Sequence, residues 1–498
     1  MVHSRMRQPA APVIGWLLLA WASPPPTMAQ EPVTAIVGAT IIDGSGGPPI
    51  TDGTIVIDGR RITAIGPRGA VDVPSDATVI DGRGKFVTPG FIDTNVHVSL
   101  YGAGETIVRY EDRNASLTLE AAQLHLKYGI TTIRDSYGSL LPLMQIRDAI
   151  ARGDTVGPRM LVAGNIVGWG GPYSVTFSLR REQGLTLFQE QFNDFITQGS
   201  GEELMHMEPG ELRAAINEYL DLGPDIIKYG GTSHFSNPIM IGFSPRAQLV
   251  LVEDTHKRGL AAEIHSTSPE GLRMSVLAGI DLIQHPEVLP SEISDELVDL
   301  IVARGIVCAM LTNTITGDTW ERHLEQQVER RETESEDAER EHRRTRTSAE
   351  LRQERRDRGE GIETRRSNAQ KLIERGCLVT IGTDNYLGSA PEFRRTPKRE
   401  NQEAGIGSII AIEGLVELGM TPMEAIVSAT KNGAIASRGL EEFGTLEVAK
   451  LADILILDAD PLEDISNIRR LNSVFKEGRL VDLEALPYQR IFSKPDRT

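Results

Sequence analysis

The chain has 498 residues, 40% of them hydrophobic, with 48 glycines and a formal net charge of −18. That length exceeds one small domain and suits a large barrel with a smaller companion. The acidic balance argues against a nucleic-acid partner, and the glycine count suits tight strand–helix turns.

The N-terminus reads as a targeting segment. Arg5 and Arg7 precede the apolar run Pro9 to Ala22, and Thr27 and Ala29 supply small residues before a cut. This is the pattern of a secretory signal peptide over residues 1–29. The run is shorter than the ~20 residues of a membrane span, so no stable membrane insertion is expected. The expected location is periplasmic or secreted. Cys308 and Cys377 both lie in hydrophobic strand-like runs and read as buried thiols rather than a bridge.

Residues 30–88 carry short alternating segments, "TAIVGATIID", "GTIVIDGRRITAIGP" and "ATVIDGRGKFVTPG", separated by Gly and Asp turns. They predict a small antiparallel sheet. The same style returns within 437–490, in "LADILILDADP" and "SVFKEGRLVD". The two ends together predict one composite β-sandwich domain.

The middle, 89–436, alternates. Apolar runs ("GFIDTNVH", "TTIRDS", "RMLVAGN", "DIIKYGG", "LAAEIH", "LIQH", "IVCAML", "LVTIGTD") are each followed by helix-compatible sequence. Eight such units predict an α/β fold, a (β/α)8 TIM barrel, in which residues at the C-terminal strand ends face the active site. The stretch 318–366, crowded with Glu and Arg, predicts a charged helical insertion between the seventh and eighth strands. Its plain role is a solvated excursion; the sharper one is a lid or an oligomer contact.

The strand ends carry the chemistry. The first run closes on Asn95 and His97, the fourth near Lys228, the fifth on His265, the sixth on His285 and the eighth on Asp384. A lone strand-end histidine is usually structural, but these positions converge if the barrel forms. His265 and His285 are neutral nitrogen donors of the kind zinc prefers. Lys228 would repel a metal as an ammonium. Desolvated, it can react with carbon dioxide to give an anionic carbamate that bridges metals. Asp384 can take a proton from water and return it to a leaving group, and a metal lowers the pKa of bound water toward about 7.

These motifs resemble the metal-dependent amidohydrolase superfamily, in its imidazolonepropionase-like and prolidase-like branch. "VTPGFIDTNVHVSL" resembles the first-strand motif and "GPDIIKYGGT" the carboxylated-lysine strand. "LAAEIHSTSPEGLRMSVLAGIDLIQHPE" resembles the paired histidine strands, and "VTIGTDN" the final aspartate. "TPMEAIVSATKNGAIASRGLEEFGTLEVAKLADILILDADPLEDI" is similar to the C-terminal signature. The resemblance implies a bridging Lys228, second-metal ligands His265 and His285, and Asp384 as general base. The departure is Asn95, where the family has a histidine. An amide oxygen is a weaker donor for zinc than imidazole. The variation resembles the phenylurea and molinate hydrolases, and it implies an unequal or single metal.

The resulting expectation is a metal-dependent amidohydrolase cleaving a C–N bond in an amide, carbamate, urea or lactam. The metal is zinc by default, with cobalt or manganese as substitutes. The partner is a small-molecule substrate, and family habit suggests a homo-oligomer. His234, Trp169, Tyr173 and Tyr137, on loops after strands, are candidate substrate contacts. Asp135 reads as a strand-end anchor, and Arg246 and Arg180 are weak candidates for a carboxylate clamp. One alternative is a prolidase-like dipeptidase acting on Xaa-Pro or acyl-amino-acid substrates. Another, of a different class, is an inactive barrel that only binds.

Overall fold

A computed structural model describes residues 33–99, 110–177, 184–234, 240–333, 361–387 and 399–493. The signal-peptide reading of 1–29 lies outside these residues. No helix among them is long and apolar enough to cross a membrane.

The first strands are β1 (Thr34–Ile41), β2 (Ile50–Asp58), β3 (Arg61–Pro67), β4 (Thr78–Asp81) and β5 (Phe86–Pro89). They join β15 (Ile454–Leu457), β16 (Leu471–Lys476) and β17 (Arg479–Leu480) in one eight-stranded sheet. The two chain ends therefore share a sheet. It is mixed rather than purely antiparallel, because β1 pairs in parallel with β4 through Thr34–Val37 and with β5 through Thr40–Ile41. The sheet forks at β1 and curls back. Ile62 N donates to Lys450 O at 3.0 Å, and Ala449 N donates to Ile62 O at 2.8 Å. Ile36, Ile55, Ile57, Ile62, Ile454, Ile456 and Phe475 fill the enclosed core.

The barrel strands are β6 (Phe91–His97), β7 (Ile130–Asp135), β8 (Arg159–Val162), β9 (Ile226–Gly230), β10 (Ala261–His265), β11 (Leu282–Gln284), β12 (Val307–Met310) and β13 (Leu378–Ile381). All eight coincide with the apolar runs of the sequence. Parallel ladders run from β6 to β8 and from β9 to β13. The seams between the ladders are narrower. Asp225 N reaches Val162 O at 2.9 Å, and Val167 N reaches Lys228 O at 2.8 Å. On the other side, β14 (Asn385–Tyr386) pairs in parallel with β6, and Asp384 N donates to Asn95 O at 2.8 Å.

Helices between the strands start where the sequence caps them. Ser244, Ser268 and Ser294 accept from backbone N–H groups of the first turns of Pro245–Lys257, Pro269–Ala278 and Asp295–Arg304. Leu282, Val307, Ala309 and Ala436 plug the barrel floor. Above them lies a buried ion pair, Arg134 to Glu263 at 2.5 Å, and Arg134 also donates to Ala436 O. Cys308 and Cys377 are buried free thiols.

The charged insertion is helical at both ends, Gly317–Thr333 and Ile362–Glu374, and 334–360 lies outside the described residues. The bases of its two helices are not merely solvated. Arg366 lies 4.6 Å over the Trp320 ring, and Ile362 is buried in the main core.

Candidate active site

The strand ends of β6, β9, β10 and β11 and the turn after β13 bring the predicted polar residues to one end of the barrel. In β6, side chains two apart share a face, so Asn95 and His97 point the same way. Both are buried. Each reaches the same carboxylate oxygen: Asn95 Nδ2 donates to Asp384 Oδ1 at 3.2 Å, and His97 Nε2 lies 2.8 Å from it. His97 Nδ1 faces Tyr137 O at 3.1 Å. A carbonyl only accepts, so Nδ1 carries a hydrogen there, and Nε2 is the nitrogen that faces the site and Asp384.

Burial pushes the Asp384 carboxyl up, but the hydrogen bond with His97 and the charge of His97 outweigh it. They hold it far below the carboxylate range. Its side chain remains 43% exposed, open to the barrel mouth.

The second pair is His265 and His285. His265 Nδ1 lies 3.2 Å from His285 Nε2, with the rings nearly perpendicular. Burial pushes His265 well below its ordinary value and His285 down to about 3, so both rings are neutral with lone pairs available. His285 adopts φ 41° and Asp384 φ 55°, a left-handed backbone that strains any residue but glycine. Strain of this kind clusters at functional sites.

Lys228 is 2% exposed and forms no hydrogen bond or ion pair with a described side chain. Burial pushes its ammonium down, and the charges of Glu263, Asp384 and Asp135 only partly oppose this.

Among the described residues, no group of three His, Cys, Asp or Glu side chains stands where a metal ion would hold them. The donors form two pairs, His97–Asp384 and His265–His285, with Lys228 in electrostatic reach of members of both. Asn95 Oδ1, His265 Nε2 and His285 Nδ1 are buried without a hydrogen-bond partner. Buried polar atoms are rarely left so, because each costs about 1–3 kcal/mol unpaired. Neutral imidazole nitrogens, an amide oxygen and a carboxylate are donors that suit a divalent cation.

The four candidate substrate contacts separate into two groups. Trp169 is buried, donates through Nε1 to Thr232 O at 3.0 Å, and sets its ring edge-on to His265 at 4.8 Å. His234 is exposed, stacks on Phe177 at 4.8 Å, and lies 5.9 Å from His265. Tyr137 stacks on Phe177 at 5.5 Å and meets His97 edge-on at 6.2 Å. These rings form one wall beside the donors. Tyr173 instead packs on Phe192 of the helix Leu187–Thr197, 6.1 Å between ring centres. Arg246 is exposed on Pro245–Lys257, and Arg180 lies outside the described residues.

Several residues went unread in the sequence. Phe177 completes the aromatic wall, and only its loop position after the third strand signals it. Asp93 braces the site: its carboxylate accepts from Thr383 Oγ1 and Ser408 Oγ, each at 2.7 Å, and from Asn95 N at 3.2 Å. Alternation with Asn95 in "FIDTNVH" was the available clue. Asp135, by contrast, was expected as a strand-end anchor; it accepts from Val98 N at 2.6 Å, and burial pushes its carboxyl up to about 7.

Comparison with known proteins gives a consistent answer. The amidohydrolase family model matches residues 86–481. An imidazolonepropionase from Symbiobacterium thermophilum is 24% identical over 90% of this chain and 96% of its own. An imidazolonepropionase from Brevibacillus brevis is 35% identical, though the match spans only 26% of that protein. Among solved structures, phenylurea hydrolase B superposes with a TM-score of 0.80 at 30% identity, over 93% of this chain and 100% of its own. Molinate hydrolase gives 0.79 at 28% identity, over 94% and 98%. The match runs from the last strand of the N-terminal sheet segment through the whole barrel into the C-terminal strands, and this chain belongs to the amidohydrolase family.

Proposed function

We propose that this protein hydrolyses a C–N bond of a small organic molecule, an amide, carbamate, urea or lactam, with a divalent metal held by Asn95, His97, Lys228, His265, His285 and Asp384. The observation that carries the reading is the state of Asp384. Both described contacts to its carboxylate, from Asn95 and His97, fall on Oδ1, while the group stays open to the mouth. When bound, a divalent metal, zinc in the first instance, acidifies a water and polarises the scissile carbonyl as a Lewis acid.

The chain supplies the rest. Asp384 Oδ2 takes the proton of the attacking water, and the same oxygen returns it to the departing nitrogen. His97 and Asn95 fix Oδ1 and so fix where Oδ2 points. Lys228, buried and driven toward the neutral amine, is suited to carboxylation, which would add one negative charge shared over two oxygens. Tyr137, Trp169, Phe177 and His234 offer an aromatic wall to an apolar portion of the substrate.

The phenylurea and molinate hydrolases, similar over nearly their whole lengths, support this bond class. Export is part of the proposal, supported by Arg5, Arg7 and the apolar run that follows them. So is homo-oligomerisation, on the habit of the family. The test is a hydrolysis screen over ureas, carbamates, thiocarbamates, lactams and N-acyl amino acids, with bound metal quantified in the same preparation. Turnover of one class that vanishes on chelation is the expected result. No turnover of any, with metal present, would overturn it.

A further inference from the structure

The returning helix of the charged insertion, Ile362–Glu374, begins after Gly361, whose φ of 102° admits the chain at that angle. Arg365 follows in its first turn. Its guanidinium reaches inward over the same end of the barrel that holds Asp384. Nη2 donates to Thr314 Oγ1 at 2.6 Å and lies 4.0 Å from Glu287 Oε1. Thr314 belongs to the turn after β12, and Glu287 to the turn that directly follows His285. The neighbouring Asn313 donates to Thr383 O at 3.1 Å, one residue before Asp384. The loops that hold Arg365 are thus the loops that hold the site, and its charge is felt at both His285 and Asp384.

This guanidinium is the countercharge of buried Glu287, but its hydrogen-bonding capacity is largely unused. Carboxylate partners of arginine ordinarily sit at about 2.7–2.9 Å and often take two parallel bonds. Glu287 does neither at 4.0 Å, and its nearer oxygen already accepts Leu311 N at 2.9 Å. Arg365 Nε is buried with no hydrogen-bond partner, while the side chain as a whole is 25% exposed. Of the five N–H donors a guanidinium carries, the described bonds use one nitrogen. A partly open cation with idle donors, within electrostatic reach of Asp384, is placed to meet an anion.

We propose that Arg365 is a specificity-determining residue that binds a carboxylate of the substrate, so that the preferred substrates are acidic C–N compounds such as N-acyl amino acids. This rests on the C–N hydrolase reading and adds a substrate class to it. The aromatic wall and Arg365 then divide the work: Tyr137, Trp169, Phe177 and His234 take the apolar portion, and Arg365 the anionic end.

The test separates binding from turnover. Hippurate and its neutral amide, hippuramide, are titrated calorimetrically into the full-length wild-type protein, Arg365→Gln and Arg365→Lys. A hydrogen-bonded charge pair predicts that the wild type prefers hippurate by about tenfold or more. Arg365→Gln should abolish that preference while leaving hippuramide affinity within about twofold. Arg365→Lys, which keeps the charge and supports the fold, should reduce the preference severalfold, because an ammonium lacks the fork. A wild type without preference, a preference that survives in Arg365→Gln, or one undiminished in Arg365→Lys overturns the proposal. Failure of the hydrolase reading is seen separately, as absent turnover in a protein whose binding preference is intact.

Discussion

Asn95 donates its side-chain amide to Asp384 Oδ1 at 3.2 Å, so the residue that departs from the family's histidine is bonded to the proposed base. Its own Oδ1 is left buried and unpaired. As a donor to cations that oxygen is weaker than an imidazole nitrogen. The wild type is therefore expected to retain one tightly held ion per chain after exhaustive dialysis, and Asn95→His to retain more. Plasma mass spectrometry of the dialysed proteins measures this. Two tightly held ions in the wild type would contradict it.

Asp384→Asn removes the carboxylate and keeps the shape. General acid–base catalysis contributes roughly 10²–10⁴-fold, so kcat should fall by about that factor. His265, His285 and His97 remain, and metal should stay bound to a measurable extent. Wild-type turnover with metal retained would dismiss Asp384 as the base.

Lys228 has no described hydrogen bond or ion pair to lose, so a purely structural role would make Lys228→Ala a cavity mutation of modest cost. The carbamate proposal predicts more: loss of metal and of activity together. It also predicts that reconstitution of the wild-type apoprotein with metal depends on added bicarbonate. Reconstitution indifferent to bicarbonate, with Lys228→Ala fully active, would refute it.

Away from the site, Asp453 ties the sheet domain to the barrel. It accepts from Arg159 at 2.8 Å, from Lys476 at 3.1 Å and from Glu477 N at 2.8 Å. Burial pushes its carboxyl up, but Arg159 and Lys476 outweigh this and hold it at about 2, against an ordinary 3.8. A depressed carboxyl stabilises the fold above its unfolded value, and that contribution is lost as pH falls through the folded one. Stability should therefore drop between about pH 4 and pH 2. Asp453→Asn should cost roughly 3 kcal/mol at neutral pH and flatten that acid limb. Urea unfolding across the pH range tests both.

The barrel strands were legible because each is an apolar run, and some end abruptly on a polar residue, as β10 does on His265 and β6 on His97. The pairing of the terminal sheet was less so. Alternation within β1 says which face is buried, but not that β1 would meet β4 and β5 in parallel. In the site, ligand-type residues stood out by chemistry, whereas Asp93, Phe177 and Arg365 did not. Their roles come from partners such as Thr383, His234 and Thr314, distant in sequence, and no local spacing encodes those contacts. Tyr173 shows the converse. Its loop position suggested the pocket, yet its ring found Phe192 instead.

The most direct test of the account is steady-state hydrolysis by metal-loaded and chelator-stripped wild-type protein, with Asp384→Asn alongside. The substrates are a phenylurea, a thiocarbamate and an N-acyl amino acid. The account predicts turnover of at least one substrate by the loaded wild type, lost on stripping, restored by zinc, and reduced at least about a hundredfold in Asp384→Asn. Turnover that survives stripping, or no cleavage of any C–N bond by fully loaded protein, would contradict it.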